Sequence, residues 1–236
     1  EYSKVRKNLL KEDVIITNLK SFFASQVAQT VLAGLLSFYR GTDLFALLKK
    51  EKKWVGDPIR KKLEILNNKR VLFFGKGSIN KEVSKYLKPF NCDCSFIDSH
   101  SKKENIFNKL SLSEIIICSL PGTKRTKMLF NKKVLDTFSK HSILINVGRG
   151  DLIDENHLIE KLKNKTLRGA VLDVTYEEPL QKNNKLWNCP NLILTQHSGG
   201  GYTNEIVDKI NFFLENFKRF SNNKSLLNII NPSKGY

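Results

Sequence analysis

Three residues of different chemistry each stand just past an apolar run in this chain. Arg149 lies in Asn146-Val147-Gly148-Arg149-Gly150-Asp151, after the run at 142–146. Glu178 lies in Glu177-Glu178-Pro179, after the run at 167–174. His197 follows the run at 192–195 and precedes Ser198-Gly199-Gly200-Gly201. If these runs are strands of one sheet, the three side chains collect at its carboxyl edge, where open α/β sheets bind ligands. A guanidinium there suits a planar carboxylate and a polarised carbonyl, and it cannot lose its proton. A carboxylate beside the histidine would stabilise the imidazolium and make it a better acid near neutrality. The plain alternatives are a surface arginine in a glycine turn and a solvated histidine. One His, one Glu and one Arg, each just past a strand, is a more specific pattern than any of them alone. The other histidines, His100, His141 and His157, fall in charged or loop surroundings and are expected to be solvated.

A second constellation precedes these. Gly75-Lys76-Gly77-Ser78-Ile79-Asn80 sits where a strand ends and a helix begins. Gly75 permits a tight turn and Gly77 lets backbone amides approach a pyrophosphate, to which the helix N-terminus adds partial positive charge. Asn80 replaces the third glycine of the usual pattern, which puts close packing of helix on strand in doubt. Asp98 closes the next strand at the spacing expected for a carboxylate that binds the adenosine ribose. It would repel a 2′-phosphate, favouring NAD, while Lys102 and Lys103 just beyond leave room for NADP.

Positioning these groups requires a scaffold, and the chain supplies its pattern. Apolar runs at 71–74, 94–98, 115–120, 142–146, 167–174 and 192–195 alternate with helical spacing through Val83 and Leu87, at about 154–163 and at about 204–220. Such alternation specifies a doubly wound parallel sheet with helices on both faces. The uncharged stretch at 21–39 has almost the length of a membrane span. Gln26 and Gln29 near its middle argue against that, and its apolar residues recur at helical spacing. The reading is a helix buried against protein, with a homodimer expected through it.

Composition limits the remaining classes. Hydrophobic residues at 40% and charged residues at 27% of 236 exclude wholesale disorder. Forty Lys and Arg against 23 Asp and Glu give +17, which raises nucleic acid as a partner. The basic residues are scattered among asparagines, with one dense cluster at 49–62, and no aromatic-interleaved reader motif accompanies them. No specific nucleic-acid partner is expected. Cys92, Cys94, Cys118 and Cys189 are too few and too irregular for a disulfide framework or a zinc site, so no metal is expected. They read as reduced core thiols, which points to the cytoplasm.

Taken in order, the motifs resemble the D-isomer-specific 2-hydroxyacid dehydrogenases, the family that includes glyoxylate/hydroxypyruvate reductases and phosphoglycerate dehydrogenase. The resemblance rests on Ile16-Thr17-Asn18, Val27-Ala28-Gln29, the 75–80 turn, Leu120-Pro121-Gly122-Thr123 through Thr126, and the 146–155 segment. It continues through Gly169 to Asp173, Glu178-Pro179-Leu180, the 186–191 segment, Thr195 to Gly200, and the ending at 228–236. It implies a Rossmann-type dinucleotide-binding domain at 21–205 and the remnant of a flavodoxin-like substrate domain at 1–20. Residues 206–236 would form a helix and tail returning to that second domain. It implies a catalytic triad of Arg149, Glu178 and His197, reducing a small 2-oxo acid with NAD or NADP. Family contacts carried over place Ser78 and Ile79 at the pyrophosphate, and Pro121 and Thr126 along the adenine-side crevice. Val147 and Gly148 would flank the nicotinamide ribose, Asp173 would accept the carboxamide amine, and Gly199 and Gly200 would close around the nicotinamide.

The chain departs from the family at Asn80, at Gln29 in place of glutamate, and at Gln196 in place of the proline before the histidine. The substrate-binding glycine loop would fall before Glu1, so this chain by itself is expected to bind dinucleotide and turn over poorly. A non-catalytic NAD(H) sensor of the corepressor type is the competing reading, because it shares the same residues.

Overall fold

The computed structural model describes residues 14–98, 101 and 103–230. Six strands form one parallel sheet: β1 (Arg70–Phe74), β2 (Asp93–Ile97), β3 (Ile115–Cys118), β4 (Ile143–Asn146), β5 (Gly169–Leu172) and β6 (Leu192–Leu194). Their spatial order is β2-β1-β3-β4-β5-β6, and every pairing is parallel. The chain runs outward from β1 to β2 and then crosses back to β3. This places a topological switch point between β1 and β3, the position where such sheets hold ligands.

The helices are α1 (Ala24–Arg40), α2 (Thr42–Lys50), α3 (Asp57–Arg60), α4 (Ser78–Leu87), α5 (Lys103–Leu112), α6 (Lys132–Leu135), α7 (Glu155–Lys163) and α8 (Glu205–Ser221). Because strand side chains alternate faces, each central strand feeds two cores. Val71, Phe73, Ile115, Ile117, Ile143, Ile145 and Val171 meet α1 and α4 on one face. Leu72, Phe74, Ile116, Leu144, Ala170 and Leu172 meet Leu110, Leu135, Leu158 and Leu162 on the other. The near-continuous apolar runs in the sequence follow from burial on both faces.

α1 is the uncharged stretch anticipated from the sequence, and it is a core element. Val27, Ala28, Val31 and Leu35 are buried against the sheet. No single described helix is long and apolar enough to cross a membrane, although α1 and α2 together, bent by 68°, pass that test of length and composition. α2 and α3 fall within the stretch from Thr42 through the 49–62 cluster, which had suggested only charge. α5 and α6 carry too little apolar periodicity to announce themselves.

The chain just before α1 meets the chain after α8. Thr17 and Ile229 form an antiparallel bridge, flanked by bonds from Asn18 N–H to the Asn228 carbonyl (3.1 Å) and from Ile230 N–H to the Ile16 carbonyl (2.9 Å). α8 presents Ile210, Phe213, Phe217 and Phe220 to solvent.

Two expectations are corrected. Asn80 does not loosen α4: it is fully buried, and its amide donates to the carbonyls of Phe74 (2.9 Å) and Gly75 (2.8 Å). Its amide thus ties the first turn of α4 to the end of β1. His157 is not solvated. It is 9% exposed, with Nε2 at 2.7 Å from Asp136 Oδ1 and Nδ1 at 3.2 Å from Glu160 Oε2. Two carboxylates, one from the neighbouring α6 region, satisfy the ring, so an amphipathic helix can bury it. His141 is exposed as expected, and His100 lies outside the described residues, as do Lys102 and the segments at 1–13 and 231–236.

Candidate active site

The residues predicted to bind cofactor or act in catalysis lie at or just beyond the carboxyl ends of the strands, in the loops and helix starts that follow. At the end of β1, Gly75 adopts φ +95°, a backbone conformation that an L side chain rarely takes, and its N–H bonds Ile97 of β2 at 2.8 Å. Gly77 then leads into α4, and a side chain at Gly77 would meet nothing within 4 Å. The turn is therefore an open cradle over a helix N-terminus, opened by Ser78 and Ile79. A dinucleotide pyrophosphate fits these residues, because Asn80 lies below the turn and leaves the space above it clear. Asp98 is exposed at the end of β2, where its backbone and carboxylate bond the Ser101 hydroxyl at 3.1 and 3.2 Å.

Across the switch point, the segment after β3 is knotted by a hydroxyl. Thr126 Oγ1 donates to the Pro121 carbonyl at 2.6 Å and accepts from Thr123 N–H at 2.9 Å. Thr126 thus shapes the Pro121 turn from within. Arg149 follows β4 in the Val147-Gly148 turn, with one guanidinium nitrogen on the Gly148 carbonyl at 2.7 Å. Asn146 builds that turn. It is fully buried, donating to the Arg149 carbonyl (2.8 Å) and accepting from Gly148 N–H (3.0 Å). The signal for it in the sequence is a polar residue that ends an apolar strand.

The geometry centres on His197 and Glu178. His197 Nδ1 lies 2.7 Å from Glu178 Oε2, and Thr175 N–H donates to the other carboxylate oxygen at 3.0 Å. Both partners are partly open to solvent, with side chains 49% and 36% exposed. They line one cleft with Leu172, Leu180, Trp187 and Leu194. Arg149 stands outside this cleft, one strand away. Gly150 joins the two regions: a side chain there would collide with the Thr175 carbonyl. The arginine turn is thus packed directly on the turn that holds Glu178.

Glu155, at the start of α7, accepts from Tyr176 N–H and secures the same turn from behind. Burial raises its carboxyl above the ordinary range, and the charges of Glu177 and Glu178 push in the same direction. Asp173, 5% exposed, is engaged by the histidine loop: its Oδ1 accepts from Thr195 Oγ1 at 2.6 Å and Gly199 N–H at 3.0 Å. Gly199 and Gly200 are anchored to the α1 end of the molecule, Gly199 through its carbonyl and the Thr30 hydroxyl (3.2 Å), Gly200 by close approach to Phe23. Neither Glu155 nor Thr175 stood out in the sequence, since a backbone N–H and a helix-start glutamate carry no distinctive spacing.

Among the described residues, no group of three or more His, Cys, Asp or Glu is placed to hold a metal ion. The four cysteines are free, and burial pushes each thiol upward, Cys118 to about 12.

Comparison with known proteins places the chain in a family. The pattern of the D-isomer specific 2-hydroxyacid dehydrogenase NAD binding domain matches residues 32–199. A glyoxylate/hydroxypyruvate reductase of Arabidopsis thaliana is 29% identical over 226 residues, covering 92% of this chain and 69% of its own. An uncharacterised protein of Corynebacterium melassecola is 26% identical over 98% of this chain and 79% of its own. Some other curated relatives are matched over less than half their length, a glyoxylate reductase of Pyrococcus horikoshii over 42%. The crystal structure of a D-isomer specific 2-hydroxyacid dehydrogenase from Xanthobacter autotrophicus, in complex with NADPH and MES, superposes with TM-score 0.82 at 26% identity. That match covers 98% of this chain and 97% of the other. A family member from Aeromonas salmonicida gives 0.82 at 27% identity, over 96% and 74%. With its parallel sheet, open glycine turn and matching pattern, the chain belongs to the D-isomer-specific 2-hydroxyacid dehydrogenases, NAD(P)-dependent oxidoreductases that act on CH–OH donors.

Proposed function

We propose that this protein interconverts a small 2-oxo acid and its D-2-hydroxy acid, in the manner of a glyoxylate/hydroxypyruvate reductase, with His197 as the acid/base group. The observation that carries this reading is the 2.7 Å pairing of His197 Nδ1 with Glu178 at the carboxyl edge of the sheet. The bound dinucleotide supplies the hydride. Glu178 orients the imidazole through Nδ1, leaving Nε2 as the nitrogen that hands a proton to the forming alkoxide. Arg149, held by Asn146, binds the substrate carboxylate and the carbonyl oxygen, where negative charge grows. Ser78 and Ile79 receive the pyrophosphate over the open Gly77, and Asp98 takes the ribose, favouring NAD. Pro121, Thr126, Val147, Gly148, Gly199 and Gly200 line the remainder of the cofactor crevice.

The segments before α1 and after α8 belong to the second, substrate-side unit on this reading, which the bridge between Thr17 and Ile229 supports. A homodimer is also proposed. α1 spends its apolar face on its own sheet, so the candidate surface shifts to α2, where Leu44, Phe45 and Leu47 are exposed, and to Trp54, 96% exposed. Reduced thiols support a cytoplasmic setting.

Oxidation of NADH and NADPH with a panel of 2-oxo acids tests the reading. Substrate-dependent turnover is expected, with His197→Asn lowering kcat by about 10²–10⁴ while cofactor affinity is retained. Cofactor binding with no turnover on any 2-oxo acid would favour the sensor.

A further inference from the structure

Lys76 stands between Gly75 and Gly77, inside the turn that receives the dinucleotide, and the proposed reaction leaves it without a task. It is the only ionisable side chain between Gly75 and Asn80. The turn is stitched to the end of β2: Gly75 N–H donates to the Ile97 carbonyl at 2.8 Å, and Phe74 is in register with Ile97. Asp98 is the next residue. Lys76 is exposed, yet its ammonium folds back over this strand end, 5.9 Å from the centre of the Phe96 ring. The ring is a firm platform, stacked on Phe73 at 4.8 Å with 17° between the planes.

Phe96 and Asp98 are two residues apart, about 7 Å along an extended chain. A flexible four-carbon stem spans that interval. The carboxylate assigned to the adenosine ribose therefore shares one strand end with an ammonium arriving from the phosphate turn. Among the described residues no carboxylate pairs with Lys76, and at 5.9 Å its ring contact lies at the outer limit of cation–π attraction. Its three N–H donors thus remain available to a ligand. Asp98 differs, since its carboxylate already takes the Ser101 hydroxyl at 3.2 Å.

We propose that Lys76 is a cofactor-specificity residue: its ammonium receives the 2′-phosphate of NADP and offsets the repulsion by Asp98, so that the chain takes both dinucleotides. This rests on the reading of the 75–80 turn and Asp98 as the cofactor site. It locates the charge for NADP in the turn before α4, whereas the sequence pointed to Lys102 and Lys103 beyond β2. A phosphate monoester carries about −1.5 to −2 at neutral pH. The 2′-hydroxyl of NAD is uncharged and gives a cation little to hold, so Lys76 separates the two cofactors. The pyrophosphate is common to both and is served by the backbone amides and helix N-terminus past Gly77.

The test measures dissociation constants for NADPH, NADH, adenosine 2′,5′-bisphosphate and AMP, with the parent, Lys76→Met and Lys76→Arg in the whole chain. The last two ligands differ only by the 2′-phosphate, and methionine keeps an apolar stem without the charge. Lys76→Met is expected to weaken NADPH and the bisphosphate about 5–10-fold, the effect of one water-screened charge pair, and to leave NADH and AMP within about 2-fold. Lys76→Arg is expected to retain NADPH affinity. Combined with Asp98→Asn, Lys76→Met is expected to bring the NADPH/NADH preference back toward the parent's. Equal weakening of NADPH and NADH by Lys76→Met would put the ammonium at the pyrophosphate and overturn the proposal. Unchanged NADPH affinity would also overturn it, as would a selective loss found only when Lys102→Met and Lys103→Met are combined. A parent that binds NADH but not NADPH overturns it as well. A parent that binds neither dinucleotide nor fragment sinks the cofactor site itself, and the proposal with it.

Discussion

His197 and Glu178 are 19 positions apart in the chain and 2.7 Å apart in space, meeting through Nδ1 and Oε2 beyond the ends of the adjacent strands β6 and β5. The second oxygen of Glu178 is held by Thr175 N–H, so the carboxylate can turn neither toward solvent nor toward Arg149 without losing a bond. That fixes the direction from which the imidazole is supported.

The Glu178→Gln variant keeps the shape of this contact and removes its charge. We expect kcat to fall roughly 10–100-fold with cofactor affinity preserved, a cost typical of groups that orient a reacting side chain. Steady-state kinetics together with cofactor titration checks it.

Gly150 lies where the arginine turn presses on the Thr175 carbonyl. Gly150→Ala forces one of the two turns to move, with a destabilisation of about 1–3 kcal/mol as in an overpacked core. The Glu178 contact should loosen with it. Thermal unfolding and turnover measured on the same preparation would show both losses together.

Asp98 is solvent-exposed at the end of β2. If it repels a 2′-phosphate, Asp98→Asn should raise the NADPH/NADH ratio of kcat/KM by roughly 5- to 10-fold, the ~1 kcal/mol of a water-screened charge pair. An unchanged ratio would remove Asp98 from the ribose site.

A pH dependence of stability follows from the α6–α7 contact. The His157 hydrogen bond holds the Asp136 carboxyl below its ordinary range, with Lys161 and Lys132 acting in the same direction. A carboxyl with a depressed folded-state value stabilises the fold above its unfolded value, near 3.9, and that contribution disappears as pH falls through the lower folded value. Asp136→Asn should therefore lower Tm at pH 6–7, and the gap from the parent should close below about pH 4. A gap independent of pH would mean that the contact acts through packing alone.

The sheet was readable because parallel strands buried on both faces leave unbroken apolar runs, and each of the six runs became a strand. The exits of β4, β5 and β6 could then be located, and with them Arg149, Glu178 and His197. Other features had no such signature. α2 and α3 sit in a stretch whose charge hides a weak apolar face, and the burial of His157 depends on Asp136, a residue 21 positions away on another element. The left-handed φ of Gln196 and His197 could not be foreseen, because neither residue favours it. Asn80 replaces a glycine by making hydrogen bonds that glycine cannot make, so the pattern alone suggested a defect.

The contact between Ile16 and Ile230 has a topological corollary. Whatever leads into α1 and whatever leaves after α8 pass through one spot, so the described fold is nearly a closed ring. A short linker across that gap, with new ends opened in the exposed 51–56 stretch, should yield a circular permutant that retains the sheet. Anything attached at this junction would pivot on a double-stranded hinge instead of on two separate tethers.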